Sequence, residues 1–594
     1  MLEDLPFTLE ALREAYIEGV SPAAVIAEAF RRLDQTDDPG IFLFEARDAA
    51  LSEADRLGTF DAARPLWGIP FVVKDNIDVA GMPTTCACPD FKYDAKSDAF
   101  VVKLLRDAGA ICLGKTNLDQ FATGLVGVRT PYPVPRNALD AEIVPGGSSS
   151  GSAVAVARGI AAFSLGTDTA GSGRVPAALN SIVGLKPSLG AFSASGLVPA
   201  CRTLDTISVF AQTVSDAWAV FELAARYDAA DPYARPVSTA PLSKPAPHLR
   251  IAIPSAATLQ TSGDTVQEAH FRETIANLAA GGAIIEEIDL TPFYDVAELL
   301  YYGPWVAERT AAVGERLSKA PETLHPTTRE IVGAGLKVTA VDTFNGIYKL
   351  KELRAICEAA FKGFDLLCVP TIPTFVTRSE IEADPIGPNS MLGTYTNFVN
   401  LLDMCGIAVP TGVRSDGRPG SLTILARAGH DGAAASLAAR LEAGAMGATD
   451  WARPAFKPLD AAANPDEIEI VVCGAHMSGL PLNHELTSRG ARFIKACNTA
   501  AQYRFYALAG GPPKRPGLVH DTDGASIAVE VWALPKHAFG SFMAGIPEPL
   551  CIGTVTLEDG TRAKGFLCEA YATKDAIEIT ALGSWRAYIA SKAA

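Results

Sequence analysis

The 594-residue chain lacks several features, and each lack excludes a class of function. Its 11 cysteines include no CxxC pair and form no paired framework, so neither a zinc ribbon nor a secreted disulfide scaffold is encoded, and a reducing cytoplasm suits it. Basic residues are outnumbered 51 to 67, and the net charge of −16 offers no positive field to nucleic acid or an anionic membrane. No apolar run reaches the roughly 18 residues of a membrane span. The Ala-rich stretch after Ala153 is interrupted by Arg158 and Gly159. The N-terminus carries acids where a signal peptide needs bases, and its apolar spacing reads as a surface helix. Histidine does not occur before His248.

What is present is globular: 48% of residues are hydrophobic and 20% charged. Helical patterns such as SDAFVVKLLRDAG alternate with short apolar strands such as ICLGKT and DLLCVPT, which predicts an α/β unit. A Pro-rich excursion over 225–250 interrupts it. A Pro/Ala/charge-rich stretch at 448–467 is the better boundary. Beyond it the pattern turns to strands and hairpins, with Asp559-Gly560 as a turn between two alternating runs. The expected organisation is a large unit over 1–447 (core 20–445), a linker over 448–467 and a small β-rich α+β unit over 468–594.

Several glycine-rich motifs compete for the chemistry. Gly109-AICL-Gly114-Lys115-Thr116 matches the phosphate-loop pattern in letters, but its intervening residues are themselves a strand, where a phosphate loop needs flexible turns. Gly147-Ser148-Ser149-Ser150-Gly151 fits the nucleophile-elbow pattern of esterases, yet a Gly-Ser loop with several serines is not one serine on a sharp turn. A second loop, Gly166 to Pro176, offers successive small residues whose N–H groups can converge on an oxyanion. Lys74 ends an apolar run, GIPFVVKDNID, where burial would lower its pKa and make it a base.

VVKDN, GGSSSGSAVAVARG and GTDTAGSGRVPA together resemble the three core blocks of the amidase signature family, in the same order. The resemblance extends over residues 20–445 and takes in GKTNLDQFATG and FDLLCVPTIPTF. It implies a large mixed-sheet α/β/α domain and a Ser-cisSer-Lys triad: Ser172 as nucleophile, Ser148 as the bridging serine beside a non-proline cis peptide, and Lys74 as base. The backbone N–H groups of Thr169, Ala170, Gly171 and Ser172 would form the oxyanion hole. Ala170 departs from the second glycine of many members, which a backbone donor tolerates. Asp168 and Arg174 read as loop-ordering residues. No metal or cofactor is implied.

Within the family, YYGPWVAER is similar to the substrate element of the allophanate hydrolase group, in which a tyrosine and an arginine hold a carboxylate. Tyr301 and Arg309, read as one helix, lie roughly 80° apart around it. TGLVGVRTPYPVPRN is also similar to that group, and the terminal unit resembles, more weakly, its γ-glutamylcyclotransferase-like domain. The resemblance implies a cytoplasmic, homodimeric enzyme that hydrolyses allophanate in urea degradation. Urea carboxylase would act upstream, and decarboxylation would be assisted by the terminal unit. His476, Asn483 and Arg504 are the candidate residues there. The alternatives are the glutamine-hydrolysing amidase subunit of a tRNA amidotransferase, or another small-acid amidase such as a malonamidase or biuret hydrolase.

Overall fold

The computed structural model describes residues 2–237, 239, 241–455, 457 and 462–593. Parts of the 225–250 excursion (238 and 240) and of the 448–467 linker (456 and 458–461) therefore lie outside the described residues.

The large unit is built on a mixed sheet of eleven strands among the described residues: β1 (Phe42–Glu45), β2 (Pro70–Lys74), β3 (Ile111–Thr116), β4 (Phe163–Asp168), β5 (Val183–Lys186), β6 (Thr206–Ala211), β7 (Arg250–Pro254), β8 (Ile284–Ile288), β9 (Leu366–Pro370), β10 (Met404–Val413) and β11 (Pro419–Arg427). Their spatial order is β1-β3-β2-β4-β6-β5-β10-β11-β9-β7-β8. The centre of the sheet reads as near-continuous apolar residues because strands such as β2, β3 and β4 are buried along their whole length. β2 lies parallel to both β3 and β4, so Lys74 and the loop after Asp168 leave the sheet at the same edge. That is where open α/β sheets place their ligands. The phosphate-loop lookalike is strand β3 itself, as its apolar letters predict.

The terminal unit has its own core around Val471, Phe505, Val531 and Trp585. It holds a five-stranded sheet, with Glu467–Val472 between Ala528–Pro535 and Arg562–Cys568, and a three-stranded sheet that includes Tyr503–Ala507. The hairpin predicted at Asp559-Gly560 joins Leu550–Thr556 to Arg562–Cys568.

Both seams are more engaged than their composition suggests. Trp451 stacks near Phe7 at 6.4 Å and Arg453 pairs with Glu442 at 3.0 Å, so the start of the linker packs on the large unit. At the other seam, Ala246 and Leu249 join the core of the terminal unit. The reading of Tyr301 and Arg309 as one helix is corrected. One helix ends at Tyr302 and the next begins at Trp305, because Gly303-Pro304 breaks the hydrogen-bond ladder between them.

Candidate active site

Three segments bring Lys74, Ser148 and Ser172 into one hydrogen-bonded line. Lys74 Nζ donates to Ser148 Oγ at 2.7 Å and to Thr167 Oγ1 at 2.6 Å. Ser148 Oγ donates to Ser172 Oγ at 3.0 Å, and Ser172 Oγ donates to the Gly124 carbonyl at 3.5 Å. The Gly147-Ser148 peptide is cis. Ser148 precedes the helix Ser150–Ala157, whose small residues let it pack among β2, β4 and β6. None of the eight histidines hydrogen-bonds to this line, which removes the esterase-type arrangement.

Lys74 is fully buried, and burial lowers its pKa to about 7 against the pull of Asp119, Asp205 and Asp168. An amine with that pKa is substantially neutral near pH 7 and can accept a proton. The acids next to it in sequence do not neutralise it: Asp75 instead pairs with buried Lys115 at 3.1 Å.

The loop carrying Ser172 is fixed from below. Asp168 receives Arg174 through two bonds of 2.9 and 3.0 Å and accepts the N–H groups of Gly171 and Gly173. Both charges are fully buried, so this bidentate pair orders the loop. It also bears on the expected oxyanion set. The Gly171 N–H is taken by Asp168, whereas those of Thr169, Ala170 and Ser172 donate to nothing among the described residues. Thr396 and Asn400, which sequence reasoning missed, hold the Ala170 and Asp168 carbonyls at 2.7 and 2.8 Å. Thr169 donates to Asp205, whose carboxyl is pushed up to about 6 by burial.

Arg309 is only 1% exposed, yet it makes no ion pair among the described residues. Its contacts are long: Nη1 to the Ala122 carbonyl at 3.4 Å and Nη2 to the Tyr301 hydroxyl at 3.5 Å, with Nε unpartnered. The guanidinium also sits 5.2 Å from the Tyr301 ring centroid. Burial alone would lower its pKa, but Tyr301, Cys201, Asp205 and Glu308 together hold it above its ordinary value. Acids thus lie near enough to favour the charged form, but none among the described residues pairs with the guanidinium directly.

In the terminal unit, His476 Nε2 lies 3.0 Å from Glu485 Oε2 and its ring stacks on Phe566 at 4.8 Å. Burial lowers its pKa. The ring lines a cavity of about 20 Å³ together with Cys473, Arg515 and Pro516. Asn483 donates to the His476 carbonyl at 2.8 Å. Arg504 is not brought there: it lies in the three-stranded sheet, about one third exposed, paired with Asp521 and Glu578. Sequence reasoning missed Arg515 and Glu485, which do face His476.

This constellation sits in a known setting. The chain belongs to the amidase family, which matches residues 24–434. The allophanate hydrolase C-terminal domain matches residues 468–590. Along nearly its whole length the chain is similar to the allophanate hydrolase of Kluyveromyces lactis, at 38% identity and a TM-score of 0.78, covering 98% of this chain and 99% of that one. It is 44% identical over 543 residues to urea amidolyase of Saccharomyces cerevisiae, covering 88% of this chain but only 30% of that protein. It thus spans under a third of that relative. Similarity to a glutamyl-tRNA(Gln) amidotransferase subunit of Symbiobacterium thermophilum, 35% identical, covers 70% of this chain and 92% of that one.

Proposed function

We propose that this chain hydrolyses allophanate, releasing ammonia and N-carboxycarbamate, in urea degradation. The observation that carries the reading is a buried arginine, beside the serine-lysine line, with which no acid among the described residues pairs directly. Arg309 touches Ala122 and Ser172 touches Gly124, so clamp and nucleophile address one segment two residues apart. That is at most about 7 Å of chain. Allophanate carries its carboxylate one nitrogen away from the scissile urea carbonyl, which suits that separation.

Lys74 in its neutral form takes the Ser148 proton, Ser148 takes that of Ser172, and Ser172 Oγ attacks the terminal carbonyl. The hydroxyl bonds then run in the reverse direction, from Ser172 through Ser148 to the amine. The N–H groups of Thr169, Ala170 and Ser172 hold the oxyanion, and the guanidinium of Arg309 with the Tyr301 hydroxyl holds the carboxylate. Collapse expels ammonia, which receives the proton back along the line. Water then attacks the acyl-enzyme by the same base and frees N-carboxycarbamate. The unit after the 448–467 linker assists loss of CO2, with His476 and Arg515 as the groups placed to meet an anion. The reading carries three further proposals: a urea carboxylase that supplies the substrate, a cytoplasmic location and a homodimer. The glutamine-hydrolysing reading is disfavoured, since that similarity covers 70% of the chain and a second family matches 468–590.

Ammonia release over allophanate, biuret, malonamate and glutamine tests it. Allophanate is expected to give the highest kcat/KM, and a preference for glutamine would overturn the reading.

A further inference from the structure

Residues 119–129 contain a buried arginine that the reading above does not use. Three successive carbonyls of this segment each face a different group: Ala122 accepts from Arg309 Nη1 at 3.4 Å, Thr123 from Arg129 Nη1 at 2.9 Å and Gly124 from Ser172 Oγ at 3.5 Å. The middle bond is short and the outer two are long, so the Arg129 contact is the firm one of the three. Phe121 and Ala122 both hold left-handed backbone, with φ of 50° and 52°, which non-glycine residues seldom adopt unless their surroundings impose it.

Arg129 contributes to that constraint, together with the Cys86 and Asp119 carbonyls that accept the Phe121 and Ala122 N–H groups. Its Nη2 donates to the Pro385 carbonyl at 2.6 Å, its backbone N–H donates to Asp119 Oδ1 at 2.9 Å, and its carbonyl accepts from Gln120 at 2.7 Å. Asp119 in turn accepts the Gly127 N–H and donates its own N–H to the Ser148 carbonyl at 3.0 Å. A Cβ on Gly124 would lie 2.6 Å from Asp119 Oδ2, and one on Gly147 2.1 Å from the same oxygen. The hub thus abuts both the residue that receives Ser172 and the residue before Ser148. Arg129 is 2% exposed and its guanidinium forms no ion pair among the described residues, so charge pairing does not account for its burial.

We propose that Arg129 is a positioning residue for the nucleophile: by clamping the Thr123 and Pro385 carbonyls together, it fixes the Gly124 carbonyl that steadies Ser172. This rests on Ser172 being the nucleophile.

Arg129→Lys tests it, because one ammonium cannot reproduce the planar fork that spans two carbonyls. In the full chain, the rate of Ser172 acylation by a neutral activated ester should fall about 10-fold or more, with kcat for allophanate falling by the same factor and KM staying within about twofold. A loss confined to allophanate would make Arg129 a substrate-binding residue and overturn the proposal. So would acylation within twofold of the parent. If Arg129→Lys does not fold, Arg129→Gln is read in the same way, and failure of both to fold assigns Arg129 to stability and overturns the proposal. Ser172→Ala in the same assay separates the two readings. Acylation that survives it removes the nucleophile assignment and this proposal together, whereas acylation lost there but kept in Arg129→Lys removes this proposal alone.

Discussion

Around Ser172, groups from β2, the Ser148 loop, the loop after β4 and the distant helix Asn397–Leu401 with its N-cap Thr396 each receive at least one partner, down to the carbonyls of Asp168 and Ala170. Around His476, one imidazole has one carboxylate, Glu485, and otherwise leans on Phe566 and Phe542 beside a cavity about large enough for one water. A densely satisfied network fixes geometry and loses much when one member is cut; a singly supported group fixes little. On the proposed reading the first region is a proton relay with a carboxylate clamp, and the second a small cavity beside a histidine whose loss should leave the relay untouched.

Ser172→Ala removes the hydroxyl on which the first region converges. Ammonia release should fall by at least about 10⁴-fold, and mass spectrometry should find no acyl adduct with an activated ester. Lys74→Ala should cost about 10² to 10⁴-fold, with a residual rate that rises with pH as hydroxide replaces the amine. On the proposed reading Lys74 works as the neutral base, and burial lowers its pKa to about 7. The kcat/KM for ammonia release should therefore climb as pH rises through about 7 and level above it. A limb near the ordinary lysine value would contradict a desolvated base. His476→Ala should have the smallest effect on ammonia, within about twofold, while CO2 release lags behind it. Equal slowing of both products would mean that the two regions are not separate.

Much of the first region was legible because its chemistry is local to three short blocks. Each block ends a strand or opens a helix with small residues, and the apolar run before Lys74 correctly announced burial. The partners brought from afar were not legible. Thr396 reaches Ala170 across 226 residues and Asn400 reaches Asp168 across 232, and neither carries a local pattern that points there. Thr167 sits inside a quoted block, yet nothing in the letters says that its hydroxyl returns to Lys74. Tyr301 and Arg309 do meet, although the helix expected to join them breaks at Gly303-Pro304; their encounter is tertiary. In the terminal unit the candidate Arg504 is set by strand alternation outward against Asp521 and Glu578. Arg515, from a Pro-rich stretch with no periodic signal, takes the place beside His476.

On the proposed reading Arg309 selects a carboxylate-bearing substrate for the Ser172 relay. That selection is tested most directly by comparing parent and Arg309→Ala on two substrates, allophanate and a neutral activated ester. A charge-assisted bond in a closed site is worth about 1.5 to 3 kcal/mol, so kcat/KM for allophanate should fall at least roughly 10 to 150-fold while acylation by the ester stays within a few-fold. Equal losses on both would contradict the account and make Arg309 a support of the fold or the relay.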